Sequence, residues 1–238
     1  MRKGKDKGAV VVLSGGQDST TCLFWAKELF KEVLAVTFDY GQRHHSEIRA
    51  AAEIARIAEV EHVVFDLKDM GKFVKSALTD PSVEVKADGG HNNLPSTFVP
   101  GRNLVFSTIA AGIAVSRGWD AIVLGVCETD YSGYPDCRTK TINVVEEAIQ
   151  LGMELPHFCV LTPLMHLTKS MTVRMMLQYG PKAWEALGLS VTCYNGVVPG
   201  CGKCPSCLLR EKGFAMANVE DPARTQYKSG SEIKWEVP

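Results

Sequence analysis

The chain reads as an α/β protein: a parallel sheet with helices on both faces, plus a small C-terminal four-cysteine module. Three observations predict this. Short apolar runs alternate with helical patterns, a glycine-rich turn joins the first apolar run to the first helix, and four of the eight cysteines crowd into Cys193–Cys207. The chain has 238 residues, of which 45% are hydrophobic and 22% charged. That is the composition of a protein able to bury a full core.

The elements follow in order. Ala9 to Leu13, Val33 to Phe38, His62 to Leu67, Ala121 to Gly125 and Phe158 to Leu161 are short, β-rich and bounded by polar residues, the pattern of buried strands. Between the first two, Thr20 to Phe30 places Cys22, Ala26, Leu29 and Phe30 on one helical face. Between the next two, Ile48, Ala51, Ala52, Ala55 and Ala58 do the same. Crossovers of this kind make neighbouring strands parallel, and ligands of such sheets sit beyond the carboxyl ends of the strands. Thr79 to Asn103 breaks the rhythm, being rich in Pro, Gly and Asn, and reads as a long loop that is either a lid or disordered. Helical patterns resume over Leu104–Arg117, Thr139–Leu151 and Thr168–Tyr179. Three regions are expected: a main domain over 8–190, a metal-binding helical module over 191–219, and a peripheral polar tail over 220–238.

Charge and flanking sequence restrict the setting. Lys plus Arg total 26 and Asp plus Glu 27, a net charge of -1, without the basic surplus of a protein that mainly grips nucleic acid. Met1 to Gly8 lacks the apolar core of a signal peptide, and no apolar run approaches the roughly 20 residues that span a bilayer. A cytoplasmic protein with no membrane partner is expected, and reduced thiols with it.

Ser14-Gly15-Gly16-Gln17-Asp18-Ser19 directly follows the first strand and opens the first helix. Glycines let the backbone turn sharply, and free N–H groups at the helix start face an anion. Ser14, Ser19, Thr20 and Thr21 add hydroxyl donors, and Leu13 leads in from the strand. Asp18 fits beside phosphates if it orders the loop or holds Mg²⁺. The run is neither a Walker A loop nor a dinucleotide fingerprint. A tight turn with a serine cap is the plain alternative.

Cys193, Cys201, Cys204 and Cys207 have the spacing C-x7-C-x2-C-x2-C. Four thiolates close a tetrahedral Zn²⁺ site and leave no open position, which makes one structural zinc per chain the expectation. Lys203 and Arg210 are placed to offset thiolate charge. A redox pair at Cys204 and Cys207 would leave Cys193 and Cys201 unexplained, and an iron–sulfur cluster is the other alternative.

Two further segments look chemical. Phe98-Val99-Pro100-Gly101-Arg102-Asn103 ends the long loop. Gly125 to Arg138 follows the fourth strand, where a parallel sheet presents its ligands. There Glu128, Asp130 and Asp136 can accept hydrogen bonds from a ring N–H and an amine, Tyr131 and Tyr134 offer flat faces for stacking, and Arg138 and Lys140 could neutralise an anion. A solvated acidic loop is the alternative.

SGG-x-DS is the signature of the PP-loop ATP pyrophosphatases, which resemble this chain in fold (adenine nucleotide alpha hydrolase-like) and cleave ATP between the α- and β-phosphates. SGGQDSTT, FDYGQRHHSEI from Phe38 to Ile48, FVPGRN and YSGYPDCR, followed by the four cysteines, occur in this order in 7-cyano-7-deazaguanine synthases. The resemblance runs from about Gly8 to Val219. It implies ATP-dependent conversion of 7-carboxy-7-deazaguanine and ammonia to the nitrile, by adenylation first of a carboxylate and then of an amide. It further implies ATP with Mg²⁺ at Leu13 to Thr21, with Asp18 near the metal. Arg102, Arg138 and Lys169 become candidates for transition-state charge, and Glu128, Asp130, Tyr131, Tyr134 and Asp136 for base recognition. His44 and His45 are left as helix-opening residues. No glutaminase region is apparent, so ammonia must come from solution or from a partner. A homodimer follows from the resemblance alone. The rival reading is a PP-loop tRNA sulfurtransferase, in which a cysteine pair would be catalytic.

Overall fold

The computed structural model describes residues 7–86, 94–128 and 133–224. Its centre is a sheet of five parallel strands, β1 (Gly8–Val12), β2 (Glu32–Asp39), β3 (Glu61–Asp66), β4 (Ala121–Val123) and β5 (Cys159–Leu161), in the order β3-β2-β1-β4-β5. In register, Val12 lies beside Val36 and Val11 beside Val123. The chain leaves β1 in one direction to build β2 and β3, then returns to build β4 and β5 on the other side. The crevice between β1 and β4 is therefore the switch point at which ligands of open α/β sheets bind.

The pleat sorts the apolar side chains into two layers. Ala9, Val11, Leu13, Ala35, Ala121 and Val123 face one layer. It is formed by α1 (Gln17–Leu29), α2 (Ser46–Ala58), α6 (Lys169–Gln178), α7 (Pro181–Leu189) and α8 (Pro205–Ala217). Val10, Leu34, Val36 and Ile122 face the other, against α4 (Arg102–Ser116) and α5 (Thr139–Gly152). Helices thus cover both faces, as the alternation of runs predicted.

Two details of the predicted helical faces change. Leu29 is 42% exposed, because α1 ends there and the extended residue Phe30 already leads into β2. Ala52 is also exposed; α2 buries Ala50, Ala51, Ile54, Ala55, Ile57 and Ala58 instead. Two helices, α3 and α7, lie outside the segments expected to be helical, and α8 falls in the helical module expected over 191–219. The short α3 (Asp69–Phe73) buries none of its residues, so it leaves no periodic trace. Helices α7 and α8 each begin with Pro at the first turn, where its missing N–H costs nothing.

The cysteine-bearing helix α8 is joined to the main core: Phe214 and Ala217 share the cluster of α1, α2 and α6. The start of the tail is held as well. Asp221 and Ala223 are buried, and Asp221 takes a two-pronged ion pair from buried Arg210 at 2.6 and 2.9 Å. Arg210 also donates to Ser190 Oγ and Thr192 Oγ1. It therefore ties the segment before the cysteines to the tail, a role different from offsetting thiolate charge. Among the described residues no helix is long and apolar enough to cross a membrane.

Candidate active site

A cavity of about 610 Å³ opens beyond the carboxyl ends of β1, β2 and β4, lined by Val12 to Ser14, Thr37, Phe38 and Leu124 to Cys127. The turn after β1 forms its floor. Gly16 precedes α1 with no side chain capping it, so the first N–H groups of α1 stay available to an anion. Ser14 and Ser19 hold the turn: their hydroxyls lie 3.0 Å apart, Ser19 Oγ donates to Gly16 O at 3.1 Å, and Gly16 N donates to Ser14 Oγ at 3.3 Å. Gln17 is 2% exposed, and neither end of its amide has a partner among the described residues. Such orphaned groups are costly unless a ligand meets them, which fits a site built around a polar guest.

The turn divides its labour. Ser14, Gly16, Gln17, Asp18 and Ser19 line the cavity, with Leu13. Thr20 and Thr21 are fully buried and donate to the carbonyls of Gly16 and Gln17 at 2.8 and 3.0 Å. Their hydroxyls are committed to α1, and only the serines face the cavity. Gly15 serves the backbone: its φ is +82°, and a Cβ there would stand 2.1 Å from the Glu47 carbonyl oxygen. At Gly125 a Cβ would reach within 2.9 Å of Ser19 N. The turn is thus clamped between the start of α2 and the end of β4 by positions where no side chain fits.

Lys169 opens α6 behind the cap of Thr168 and is 7% exposed. Its Nζ donates to both carboxylate oxygens of Asp18, at 2.8 and 2.7 Å. A lysine 151 positions away in sequence therefore stands at the turn. The ion pair also occupies the carboxylate expected to sit near Mg²⁺. Arg102 opens α4 and lines the cavity, with its guanidinium 5.9 Å from the centre of the Tyr40 ring. Burial alone would lower its pKa, yet Tyr40, Tyr134, Asp136 and Cys137 around it hold it above the ordinary value. It stays charged.

Of the remaining expected residues that are described, Tyr134 lines the cavity and the others do not. Arg138 is exposed and precedes α5 outside the cavity. Glu128 is exposed and accepts from Thr139 N and Oγ1 at 3.2 and 2.6 Å, capping α5. Asp136 is buried and accepts from Asn103 N at 3.3 Å, which steadies the start of α4. Tyr134 does line the cavity; its hydroxyl meets Thr97 at 2.5 Å and Tyr194 at 3.5 Å. Asp130 and Tyr131 lie outside the described residues. His45 is exposed, and His44 packs its ring against Gly196; neither lines the cavity.

The sequence reading gave no role to Tyr40, Glu47, Phe106 or Tyr194, all of which line the cavity. Tyr40 and Glu47 sit inside the FDYGQRHHSEI string, so the signal was present without a chemistry attached. Burial pushes the Glu47 carboxyl up to about 7, against a smaller lowering by Arg102.

The four cysteines converge. The Sγ atoms of Cys193, Cys201, Cys204 and Cys207 all lie within 4.8 Å of one another, with Cys201 and Cys207 4.0 Å apart. Tetrahedral bonds of about 2.3 Å require sulfur–sulfur edges near ~3.8 Å, so the group closes on a metal with small adjustments. The Cys204 N–H points at Cys201 Sγ from 3.3 Å and the Asn195 amide from 3.5 Å, donors suited to thiolate sulfur.

Comparison with known proteins places this geometry in a family. The model for "Queuosine biosynthesis protein QueC" matches residues 8–218. The 7-cyano-7-deazaguanine synthase of Chromobacterium violaceum is 52% identical over 225 residues, 93% of this chain and 95% of that protein. The one from Laribacter hongkongensis is 51% identical over 217 residues, 90% and 93% of the two chains. A solved 4-thiouridine synthetase, bound to RNA and ATP, shares the fold with a TM-score of 0.51 and 18% identity. That likeness covers 94% of this chain and 53% of the synthetase. With the switch-point cavity, the serine–glycine turn and the four-cysteine cluster all inside the matched range, the chain belongs to the QueC family of queuosine biosynthesis proteins, the ATP-dependent 7-cyano-7-deazaguanine synthases.

Proposed function

We propose that the cavity holds ATP over the turn at Ser14–Ser19 and 7-carboxy-7-deazaguanine beside Arg102 and the tyrosines, and that it joins them twice. In the first round a carboxylate oxygen of the base attacks the α-phosphorus and pyrophosphate leaves. Ammonia then attacks the acyl carbon, expelling AMP and losing a proton, which gives the amide. In the second round the amide oxygen is adenylated in the same way, and loss of AMP with the remaining N–H proton leaves the nitrile. The uncapped start of α1 receives the departing pyrophosphate. Lys169 and Arg102 offset the charge that builds on the phosphorus oxygens.

The observation that carries this reading is the convergence of Lys169, from α6, on Asp18 of the turn at 2.7 Å. It sets a fixed cation next to an anion-receiving helix end. Asp18 is the carboxylate of the turn, held on both oxygens by Lys169, and Mg²⁺ entering with ATP would have to share it with that lysine. The four thiols suit one structural zinc, which takes no part in the reaction because a Cys₄ set has no open position. A cytoplasmic setting agrees with the thiol chemistry. A homodimer is the remaining part of the proposal; exposed Phe73, Val144 and Leu151 give it apolar surface to bury.

The test is direct. The protein is incubated with ATP, ammonium and the carboxylated base, and the products are identified by mass. AMP, pyrophosphate and the nitrile are expected. ADP and phosphate as the only nucleotide products of productive turnover would refute adenylation.

A further inference from the structure

The base must be recognised as well as activated, and of the groups expected to do so Tyr134 lines the cavity while the described carboxylates, Glu128 and Asp136, do not. A guanine-like edge presents a ring N–H and an exocyclic amine side by side, and one carboxylate can accept from both. Glu128 and Asp136 are engaged at helix starts and do not line the cavity. Among the described residues, the carboxylates that line it are Asp18 and Glu47. Asp18 is held in two-pronged fashion by Lys169.

We propose that Glu47 is the residue that reads the guanine edge of the substrate, its two oxygens accepting from the ring N–H and the exocyclic amine. The inference rests on the function proposed above. Glu47 lies in the first turn of α2 and faces a cavity that Tyr40, Phe106, Tyr134 and Tyr194 also line. Flat rings for stacking and a carboxylate for the polar edge are what a planar base with two adjacent donors requires. No described donor reaches the Glu47 carboxylate, so its acceptor capacity is left for a ligand. The residue is also built in. The backbone of Glu47 seats against Gly15, where a Cβ would come within 2.1 Å of its carbonyl oxygen, so the edge-reading carboxylate and the phosphate turn are fixed in register. That register would bring the base to ATP in one orientation.

The charge state fits. Burial holds the empty carboxyl near 7, and donors that satisfy the ionised form favour it. The groups facing it are Arg102 from α4, Tyr40 after β2, and Tyr194. None of these changes charge between pH 6 and 8, and His44 on the same segment is outside the cavity lining. Binding of the base should therefore weaken as the pH falls through the Glu47 value.

The experiment measures KM and kcat for the carboxylated base and for ATP separately, between pH 6 and 8. Wild type is compared with Glu47→Gln, each with the normal base and with an analogue lacking the exocyclic amine. For wild type, KM for the base should rise about tenfold from pH 8 to pH 6, the Henderson–Hasselbalch factor for a group near 7. Glu47→Gln should raise that KM by ~100-fold or more, remove its pH dependence and leave the KM for ATP within about twofold. The analogue should be penalised strongly by wild type and little further by the variant, because the same contact is lost both ways. A KM for the base that is flat with pH in wild type would overturn the assignment even if the variant did not fold. So would a variant that makes nitrile with a nearly normal KM for the base, or one whose KM for ATP rises equally. Failure of wild type to convert the base at all would instead strike the proposed function.

Discussion

Gly213, which does not itself line the cavity, should matter as much as a residue that does. It lies inside α8, where that helix crosses the start of α6. A Cβ built there would stand 2.5 Å from Lys169 Cγ and 2.9 Å from Lys169 Cβ. Carbon atoms in contact prefer about 3.5–4.0 Å, so Gly213→Ala forces a displacement of about 1 Å. The obstructed atoms are at the root of the lysine, where swinging the tip aside gives no relief. Either α6 and α8 part or the side chain abandons its rotamer, and in both cases Nζ leaves Asp18. A misplacement of about 1 Å in a reacting constellation can cost ~100-fold, and that loss of kcat is expected. Stability should fall by no more than about 2 kcal/mol, since overpacking costs about 1–3 kcal/mol and alanine in place of glycine returns about 1 kcal/mol in a helix interior. The control is Gly112→Ala in α4, where a Cβ would meet nothing within 4 Å; it should keep full activity and melt no lower. The assay is pyrophosphate release with saturating substrates, alongside a thermal melt of each variant. Full activity in folded Gly213→Ala would show that the position of Lys169 does not set the rate.

Three further outcomes follow from the same geometry. Cys204→Ser should release the bound metal, expected at about one zinc per chain, and destabilise the protein severely, since structural zinc supplies on the order of 10 kcal/mol; metal analysis that finds iron and sulfide instead would identify a different cluster. Lys169→Met and Asp18→Ala should each lower pyrophosphate release by at least ~100-fold, and the double variant should fall little below either single one, because the two groups form one pair. Arg210→Met removes the two-pronged guanidinium contact from buried Asp221 and should cost about 3–5 kcal/mol, read as a lower denaturation midpoint, with much of the loss recovered when Asp221→Asn is added.

The strands and the phosphate turn were legible because their signals are local. Apolar runs such as Val33 to Phe38 are best satisfied in a buried sheet, and Gly15-Gly16 between strand and helix has few other uses; His62 to Leu67, expected to be buried, forms instead the edge strand β3, with Val63 and Val64 exposed. The cysteine cluster was legible from spacing for the same reason. What stayed hidden was long-range. The fate of Glu128 depends on where Thr139 begins α5, and that of Asp136 on where Asn103 begins α4. Acidic residues in one loop looked like a binding set, whereas the fold uses two of them to cap helices. Glu47 showed the converse. On an amphipathic helix an early acidic residue is an ordinary N-terminal charge, and only the packing of Gly15 against its backbone reveals that α2 points into the cavity.

The cysteine cluster and the phosphate turn are also connected mechanically, in a way the sequence spacing could not express. Cys204 is the residue from which α8 starts, and Cys207 lies in its first turn. Two of the four thiols therefore set the position of that helix. Nine residues beyond Cys204, Gly213 presses on the stem of Lys169, whose tip holds Asp18. Arg210, between them on α8, fixes the same helix to Ser190 and Thr192, just before Cys193. Metal closure of the thiols would therefore define the helix that keeps the lysine on the turn, although none of these four cysteines lines the cavity. A cluster confined to local folding would leave activity unchanged when loosened without unfolding the chain. In this arrangement, removal of the metal should lower kcat together with the melting temperature, and full turnover by folded, metal-depleted protein would refute the coupling.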